Sequence, residues 1–192
     1  MKGDFMFTKE YWQSSFSKLK NIRYLTIIAL MIAMKVVLNN IRIPVSDNLN
    51  IMFTFIPVAL EAAIVGPGAA MVSAAITDTL GTMLSSYGPY FPGYLLNKVL
   101  ASLICGLFFY RTHITLWKTA LSKALINYGI NVLLGSLWSS MLYGKAFLVY
   151  ASASAVKNTI LLPFEVLVLF ALLKTLVPVL KRRQLIPPET TI

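Results

Sequence analysis

The chain has 192 residues, of which 57% are hydrophobic and 12% are charged, and its mean hydropathy is +0.73. So few charged side chains cannot cover the surface of a soluble protein of this length, which excludes a soluble globule and predicts an integral membrane protein. The formal net charge is +10. Most lysines and arginines stand at the ends of apolar segments, so this charge indicates orientation in a bilayer and not nucleic-acid binding.

Six apolar segments predict an all-α fold with six transmembrane helices, because a spanning helix needs roughly 20 mostly apolar residues. The segments are residues 22–40, 51–66, 67–84, 92–110, 119–142 and 154–180. The second and third are short and meet at Gly66-Pro67-Gly68. Proline suits the first helical turn and the glycines permit a tight reversal, which predicts a helical hairpin. One long kinked helix is the alternative.

The basic residues are distributed unequally between the two sides of these segments. With a cytoplasmic N-terminus, the inner side carries Lys2, Lys9, Lys18, Lys20, Arg23, Arg111, Lys118, Lys123, Lys174, Lys181, Arg182 and Arg183. The outer loops carry chiefly Arg42 and Lys145. This asymmetry predicts that both termini are cytoplasmic.

Three regions follow from this pattern. Residues 1–21 form a cytoplasmic N-terminal segment, either an interfacial amphipathic helix or a disordered tail. Residues 22–180 form the transmembrane domain. Residues 181–192 form a cytoplasmic tail, which we expect to be unstructured because it has paired prolines and polar ends.

Four ionisable residues fall in the outer half of the predicted helices, namely Lys35, Asp78, Lys98 and Lys157. A charge at the centre of a spanning helix costs about 2.5 to 3.5 kcal/mol on insertion scales, so these side chains should face one another or a wet cavity. The alternative is an ion pair, such as Asp78 with Lys98, that only joins helices. Lys35 and Lys157 could also extend their ammonium groups to the interface.

Two outer loops add polar and aromatic candidates. The loop at residues 39–50 contains Arg42, Asp47 and four asparagines, and the loop at residues 85–94 contains Tyr87, Tyr90, Phe91 and Tyr94. Aromatic faces over a polar cavity can stack on a flat ligand, and glycine and proline define the turns between them, which favours a lid. An aromatic belt at the membrane interface is the alternative.

The fifth predicted helix carries Asn127 and Asn131 on one face, followed by Trp138 near its outer end. Asparagine in a spanning helix more often bonds to a neighbouring helix than to a ligand, so Trp138 is the better ligand candidate. Glu61 and Glu165 lie deeper, and we interpret them as helix-packing or relay residues.

The sequence offers little support for an enzyme. It has no G-x-x-x-x-G-K-[ST] phosphate loop, which excludes ATP hydrolysis through that motif. One histidine, His113, and one cysteine cannot form the usual metal-ligand cluster, so we expect neither a metal nor a cofactor. The serines have no histidine or other evident base near them at membrane depth, so the sequence does not support a hydrolytic catalytic triad.

Several motifs together resemble the substrate-specific S components of energy-coupling factor (ECF) vitamin transporters, most closely the folate type. They are Gly66-Pro67-Gly68, Asp78-Thr79-Leu80-Gly81 and Pro89-Tyr90-Phe91-Pro92-Gly93-Tyr94, with the spaced pair Ala29 and Ala33 on the first helix. The resemblance implies a non-enzymatic subunit of the bacterial cytoplasmic membrane. It would bind a vitamin from outside and deliver it by docking on one membrane subunit and two ATPases. It also implies that Ala29 and Ala33 contact that membrane subunit.

Folate would need aromatic stacking for its pterin, an acceptor for the pterin's donor edge, and cations for its glutamate tail. The candidates are Tyr87, Tyr90, Phe91, Tyr94 and Trp138 for stacking, Asp78 or Asn131 for the donor edge, and Arg42, Lys98 and Lys157 for the carboxylates. Pantothenate, thiamine or riboflavin are alternative substrates. A solitary transporter, and a membrane-embedded enzyme or scaffold, are the alternative functions.

Overall fold

A computed structural model describes residues 8–46, 49–84, 90–144 and 146–192, without the side chains of residues 42–51. The elements are α1 (Lys9–Ser17), a 3-10 turn (Lys18–Lys20), α2 (Ile22–Asn40), β1 (Arg42–Ser46), β2 (Leu49–Met52), α3 (Phe55–Val65), α4 (Pro67–Leu84), α5 (Pro92–Phe109), α6 (Leu116–Ala124), a π-helical segment (Leu125–Leu134), α7 (Gly135–Tyr143) and α8 (Phe147–Arg182).

Four helical stretches in these described ranges are long and apolar enough to cross a membrane. They are α2, α5, the continuous stretch from α6 to α7, and α8. The shorter α3 has 11 residues and is also apolar. The prediction of a helical membrane protein is therefore confirmed.

The predicted helical hairpin is formed by α3 and α4, with the chain reversing at Gly66. Gly66 has φ +84°, and a Cβ atom there would lie 2.8 Å from Ser15 Oγ, so both backbone and packing require glycine. Glu61 precedes the turn and Ser73 follows it, and both side chains bond to Lys35 Nζ. Residues at similar distances from the turn therefore lie side by side, as in an antiparallel pair.

The α3 helix forms the centre of the bundle. Every residue from Ala59 to Val65 is buried, because α2, α4 and α5 surround the helix. A helix that is buried on all sides is expected to be apolar, and Glu61, which pairs with Lys35, is the exception in this stretch. The alanines let the neighbouring helices approach closely. The core continues into α5 through Phe109 and into α8 through Leu169 and Leu173.

The segment between α2 and α3, which we expected to be a loop, contains a short hairpin of β1 and β2. The strands are antiparallel, with Arg42 opposite Met52 and Ile43 opposite Ile51. The sequence alternates apolar and polar residues on either side of Asp47-Asn48, which is a recognised strand signal. The helix predicted from residue 51 therefore begins later, at Phe55, because residues 51 and 52 belong to β2.

The last helix is longer than predicted. We expected it to begin at residue 154, whereas α8 begins at Phe147. The serines and alanines of its first turns lower the hydropathy without preventing a helix. The predicted start at residue 154 would place Lys157 in the first turn of this helix, which is wrong, because Lys157 lies almost three turns inside α8.

The N-terminal segment is a helix packed against the bundle, so the disordered alternative is wrong for the described residues from Thr8 onward. Tyr11 and Ser15 are buried; Tyr11 Oη donates to Gly106 O at 3.2 Å and Ser15 Oγ donates to Val65 O at 2.9 Å. Burial raises the pKa of Tyr11 far above its ordinary value, so the phenol stays protonated and remains a donor.

The C-terminal segment is also ordered, in contrast to the unstructured tail that we expected. Ile114 N donates to Thr191 O at 2.7 Å, and Thr191 N donates to Thr112 O at 3.2 Å. Ile186 is buried against the core. These backbone bonds and the apolar contacts of Ile186 and Ile192 hold the tail in place, although its composition is typical of a disordered segment.

Both terminal segments meet at one end of the bundle. Arg23 Nη2 donates to Arg183 O at 2.6 Å, and Arg111 Nη2 donates to Ser14 Oγ at 3.2 Å. We call this region the closed end. It comprises α1, the α3–α4 turn, residues 110–114 and residues 183–192.

Candidate functional site

A cavity of about 700 Å³ lies between α2, α4, α5, the α6–α7 stretch and α8. Its size is typical of a small-molecule site. Met52, Tyr90 and Tyr143 line it and are exposed. All three stand at the ends of elements remote from the closed end, so the cavity opens there.

Asp78 of α4 and Lys98 of α5 form an ion pair in the cavity lining. Lys98 Nζ lies 2.6 Å from Asp78 Oδ1, and the lysine side chain is 40% exposed whereas the aspartate is 7% exposed. From the sequence, Asp78 and Lys98 could either line a ligand cavity or only join two helices. In the structure they do both, because the pair joins α4 to α5 while the Lys98 ammonium remains accessible from the cavity.

A second ion pair lies closer to the α3–α4 turn, and we call it the inner wall (Lys35, Glu61 and Ser73). Lys35 Nζ donates to Glu61 Oε2 at 2.6 Å and to Ser73 Oγ at 2.9 Å. The lysine is 3% exposed and the glutamate is fully buried. This node joins α2, α3 and α4, which agrees with the helix-packing interpretation of Glu61.

A third cluster corrects the sequence analysis. We placed Lys123 among the cytoplasmic charges, whereas it is 4% exposed and lines the cavity. Its Nζ lies 3.0 Å from Glu165 Oε2 and 4.6 Å from the centre of the Phe55 ring. Asn127 Nδ2 donates to the same Glu165 oxygen at 2.8 Å. The α3 and α8 helices thus supply contacts that chain position alone could not reveal.

Three predicted aromatic residues form a cluster beside the cavity. Phe91 lies 5.9 Å from Tyr94 and 5.8 Å from Trp138, measured between ring centres. Trp138 Nε1 donates to Asn97 Oδ1 at 3.0 Å. Gly93 permits this packing, because a Cβ atom there would lie 2.6 Å from the Trp138 ring. We call this cluster, together with Asp78 and Lys98, the rim.

The remaining aromatic and loop candidates are only partly described. Tyr90 is exposed and lines the cavity, and the Tyr94 hydroxyl lies 3.0 Å from Ser139 Oγ. Tyr87 lies outside the described residues, as does the side chain of Arg42. The predicted lid at residues 85–94 therefore stays a prediction.

Asn131 and Lys157 both line the cavity. Asn131 Nδ2 lies 3.4 Å from Asn127 Oδ1, within the π-helical segment Leu125–Leu134. Asn131 is exposed towards the cavity whereas Asn127 is buried. Wide helical turns of this kind are rare and frequently occur at functional sites.

The described part of the cavity lining carries more positive than negative charge. Its lysines are Lys35, Lys98, Lys123 and Lys157, and its carboxylates are Asp78 and Glu165. Glu61 does not line the cavity, but its carboxylate neutralises the charge of Lys35. The lining therefore retains a net positive charge, which suits an anionic ligand.

Sequence reasoning missed several polar lining residues, among them Asn97 and Lys123. Asn97 immediately precedes Lys98 in a predicted helix. Two adjacent polar residues in an otherwise apolar helix indicate a polar environment, and this signal could have identified Asn97. Lys123 had no comparable signal, because it follows a basic loop and looks solvated in the sequence.

The predicted docking pair lies on α2. Ala29 and Ala33 are exposed, and so are the neighbouring Leu30 and Val37. Lys35 on the same helix is buried. One face of α2 therefore contacts the bundle while another presents small and apolar side chains outward.

A family model described as ECF transporter, substrate-specific component, matches residues 23–179. A folate transporter FolT of Clostridium novyi (strain NT) is 30% identical over 152 residues, which covers 79% of this chain and 88% of the relative. A folate transporter FolT of Leuconostoc mesenteroides subsp. mesenteroides is 30% identical over 158 residues, with 79% and 84% covered.

A crystal structure of FolT bound with folic acid is similar to this structure, with a TM-score of 0.75 and 31% identity. The match covers 79% of this chain and 93% of that one. The shared fold and the family match lead to one conclusion. The chain belongs to the substrate-specific components of ECF transporters and is an integral membrane protein that binds a transport substrate, not an enzyme.

Proposed function

We propose that this protein captures folate at the extracellular side of the cell membrane and delivers it through an energy-coupling module of one membrane subunit and two ATPases. The observation that carries the proposal is the rim, where the accessible Lys98 ammonium and the rings of Phe91 and Tyr94 line one cavity. The folate-transporting relatives support the choice of substrate.

Each part of folate has a chemically matched group in the cavity. The aromatic cluster suits stacking on the flat pterin. Asp78 or Asn131 suits the pterin's donor edge, and Lys98 and Lys157 suit the glutamate carboxylates, for which Arg42 remains a further candidate. Lys123 adds a third described cation, which its contact with Glu165 orients.

The proposed topology has six spanning segments, namely α2, α3, α4, α5, the α6–α7 stretch and α8. Residues 1–21 and 181–192 are then the cytoplasmic segments, and residues 22–180 the transmembrane substrate-binding domain. The meeting of the two termini at the closed end supports an even number of crossings. The basic residues Arg23, Arg111 and Arg183 at that end support a cytoplasmic location.

The topology can be tested by labelling single cysteines with a membrane-impermeant maleimide. The native Cys105 is buried and is replaced by alanine as background. We expect Asn40→Cys to react in intact cells and Arg182→Cys to react only after permeabilisation. The opposite pattern would invert the orientation, and equal labelling of both in intact cells would contradict the even number of crossings.

The exposed pair Ala29 and Ala33 is proposed to contact the membrane subunit of the module. Small residues allow two helices to approach closely, so a bulky residue should prevent assembly. We expect Ala29→Trp to bind folate normally while losing co-purification with the module and folate uptake. Ala171→Trp, at an exposed position on α8, is the matched control. Loss of folate binding in Ala29→Trp would contradict docking through this face.

The substrate is tested by titrating the purified protein with folate, pantothenate, thiamine and riboflavin. Calorimetry measures binding, and tryptophan fluorescence reports on Trp138, one of three tryptophans in the chain. We expect saturable heat and quenching with folate alone. Trp138→Phe should reduce the quenching while calorimetry still detects folate binding, with a modestly lower affinity. Binding of another vitamin would keep the family and change the substrate. No binding of any would contradict the proposal.

A further inference from the structure

A second cavity, of about 530 Å³, lies at the closed end and shares no lining residue with the substrate cavity. Its lining includes Lys18, Tyr24, Tyr110, Arg111 and Lys181. These residues come from the N-terminal segment, the start of α2, the end of α5 and the end of α8. The cavity is therefore built from four separate parts of the chain.

Three cations surround this cavity, with little negative charge to balance them. Lys18 Nζ donates to Ile64 O and Lys181 Nζ donates to Pro188 O at 2.8 Å, both neutral acceptors. Glu189 is 55% exposed, and its carboxylate lies 4.0 Å from Arg111 Nε. Within the described chain it is the one carboxylate paired with any of these cations.

Arg111 has unused hydrogen-bonding capacity. Its Nη2 donates to Ser14 Oγ at 3.2 Å, whereas its Nε is buried without a hydrogen bond among the described atoms. A buried guanidinium N–H without an acceptor is unfavourable. An anionic oxygen in the cavity would supply that acceptor, and guanidinium groups match phosphate geometry well.

The backbone around the cavity adopts an uncommon conformation. Arg111 has φ +53° and Gln184 has φ +54°, and among the described residues no other non-glycine residue has a positive φ. Both line this cavity and both follow a helix end. The left-handed conformation costs a non-glycine residue roughly 1 to 2 kcal/mol. Such conformations cluster where structure holds a functional geometry.

The electrostatics at Lys18 favour an anion beside its ammonium group. Burial, followed by repulsion from Arg111, lowers the pKa of Lys18 to about 7, and Glu189 offsets this only in part. The ammonium also lies 4.5 Å from the Tyr110 ring centre and 5.0 Å from that of Tyr24. An anion in the cavity would raise this pKa and stabilise the charged form.

We propose that this cavity binds a phosphate group, that of an anionic phospholipid headgroup. The cavity adjoins the ends of α2, α5 and α8, where spanning helices leave the bilayer, and tyrosines occupy the interface. This inference rests on the proposed topology, which puts the closed end at the cytoplasmic side, where basic pockets between helices are suited to anionic headgroups. Soluble phosphate shares this chemistry but would gain nothing from the adjacent acyl-chain region.

The proposal is tested by native mass spectrometry of the purified protein in neutral detergent, titrated with phosphatidylglycerol or phosphatidylcholine. We expect preferential retention of phosphatidylglycerol. Arg111→Gln and Lys181→Gln should each weaken it about fivefold, since one cation near an anionic lipid contributes that much. Arg182→Gln is the matched control, because Arg182 is an exposed cation at the same end that does not line the cavity.

Three results would overturn the proposal. Equal retention of phosphatidylglycerol and phosphatidylcholine would show that the cavity does not select an anionic headgroup. Equal losses in Lys181→Gln and Arg182→Gln would indicate general surface charge. Displacement of the lipid by millimolar inorganic phosphate would identify a soluble phosphate site instead. Lys181→Gln alters an exposed side chain, so it keeps the test valid even if Arg111→Gln fails to fold.

Discussion

The inner wall and the rim contain ion pairs of equal length in different environments. Lys35 and Glu61 are 2.6 Å apart and almost fully buried, whereas Lys98 and Asp78 are also 2.6 Å apart with the lysine 40% exposed. A buried pair cannot exchange partners without leaving a charge uncompensated. The Lys98–Asp78 pair can, because its lysine is accessible and can turn to a ligand while water reaches the aspartate that it leaves. Burial, and not distance, therefore separates a structural ion pair from a ligand-binding one.

The largest effect is expected from breaking the inner wall. Lys35→Met leaves the Glu61 carboxylate buried without its cation, which should lower the free energy of unfolding by about 3 to 5 kcal/mol. Thermal unfolding in detergent measures this. Lys98→Met is the comparison variant and should cost less than Lys35→Met, because water reaches the position of the lost ammonium although Asp78 itself is only 7% exposed.

The double variant Lys35→Met/Glu61→Leu sharpens this test, because replacing both partners with apolar residues removes the uncompensated charge. It should recover most of the lost stability. If Lys35→Met were no less stable than Lys98→Met, burial would not distinguish the two pairs and the comparison would fail.

The second prediction concerns the same substitution at the rim, with binding as the readout. Lys98→Met should weaken folate binding more than about tenfold, because a lost charge pair in a desolvated complex costs roughly 2 to 5 kcal/mol. Calorimetric titration measures the affinity. An affinity near that of the unmodified protein would remove Lys98 from the ligand site and leave it a helix-joining residue.

A third prediction tests the packing of the rim. Gly93→Ala places a methyl group 2.6 Å from the Trp138 ring, and such overpacking costs about 1 to 3 kcal/mol. We expect a lower unfolding temperature and weaker folate binding. Gly129→Ala is the matched control, because nothing lies within 4 Å of its Cβ position. Equal unfolding temperatures and equal folate affinities of the two variants would mean that the Trp138 and Phe91 rings can move to accept the methyl group at no cost.

The smallest effect is expected from one hydrogen bond of the rim. Trp138→Phe keeps an aromatic ring but removes the Nε1 donor to Asn97, which should cost about 0.5 to 1.5 kcal/mol. Thermal unfolding should show a small decrease in unfolding temperature, and calorimetry should show a modest loss of folate affinity. A loss as large as that of Lys98→Met would instead make the indole a principal ligand contact.

The candidate site was predicted in part, and its gaps have physical causes. Asp78 and Lys98 were found because a charge in an apolar helix is costly and needs a polar environment. Lys123 was misplaced, because its burial depends on Phe55 and Glu165, which lie on other helices. Hydropathy along one helix contains no information about which neighbours it meets.

The sequence by itself determined the membrane class, the bounds of most helices and the position of the α3–α4 turn. These properties depend on local hydropathy and on the backbone preferences of glycine and proline, which act within a few residues. Only the tertiary structure decided that Lys35 is buried whereas Lys98 is accessible, and that the C-terminal tail is ordered. Those properties depend on how helices distant in the chain pack together, because packing alone sets which side chains are removed from water.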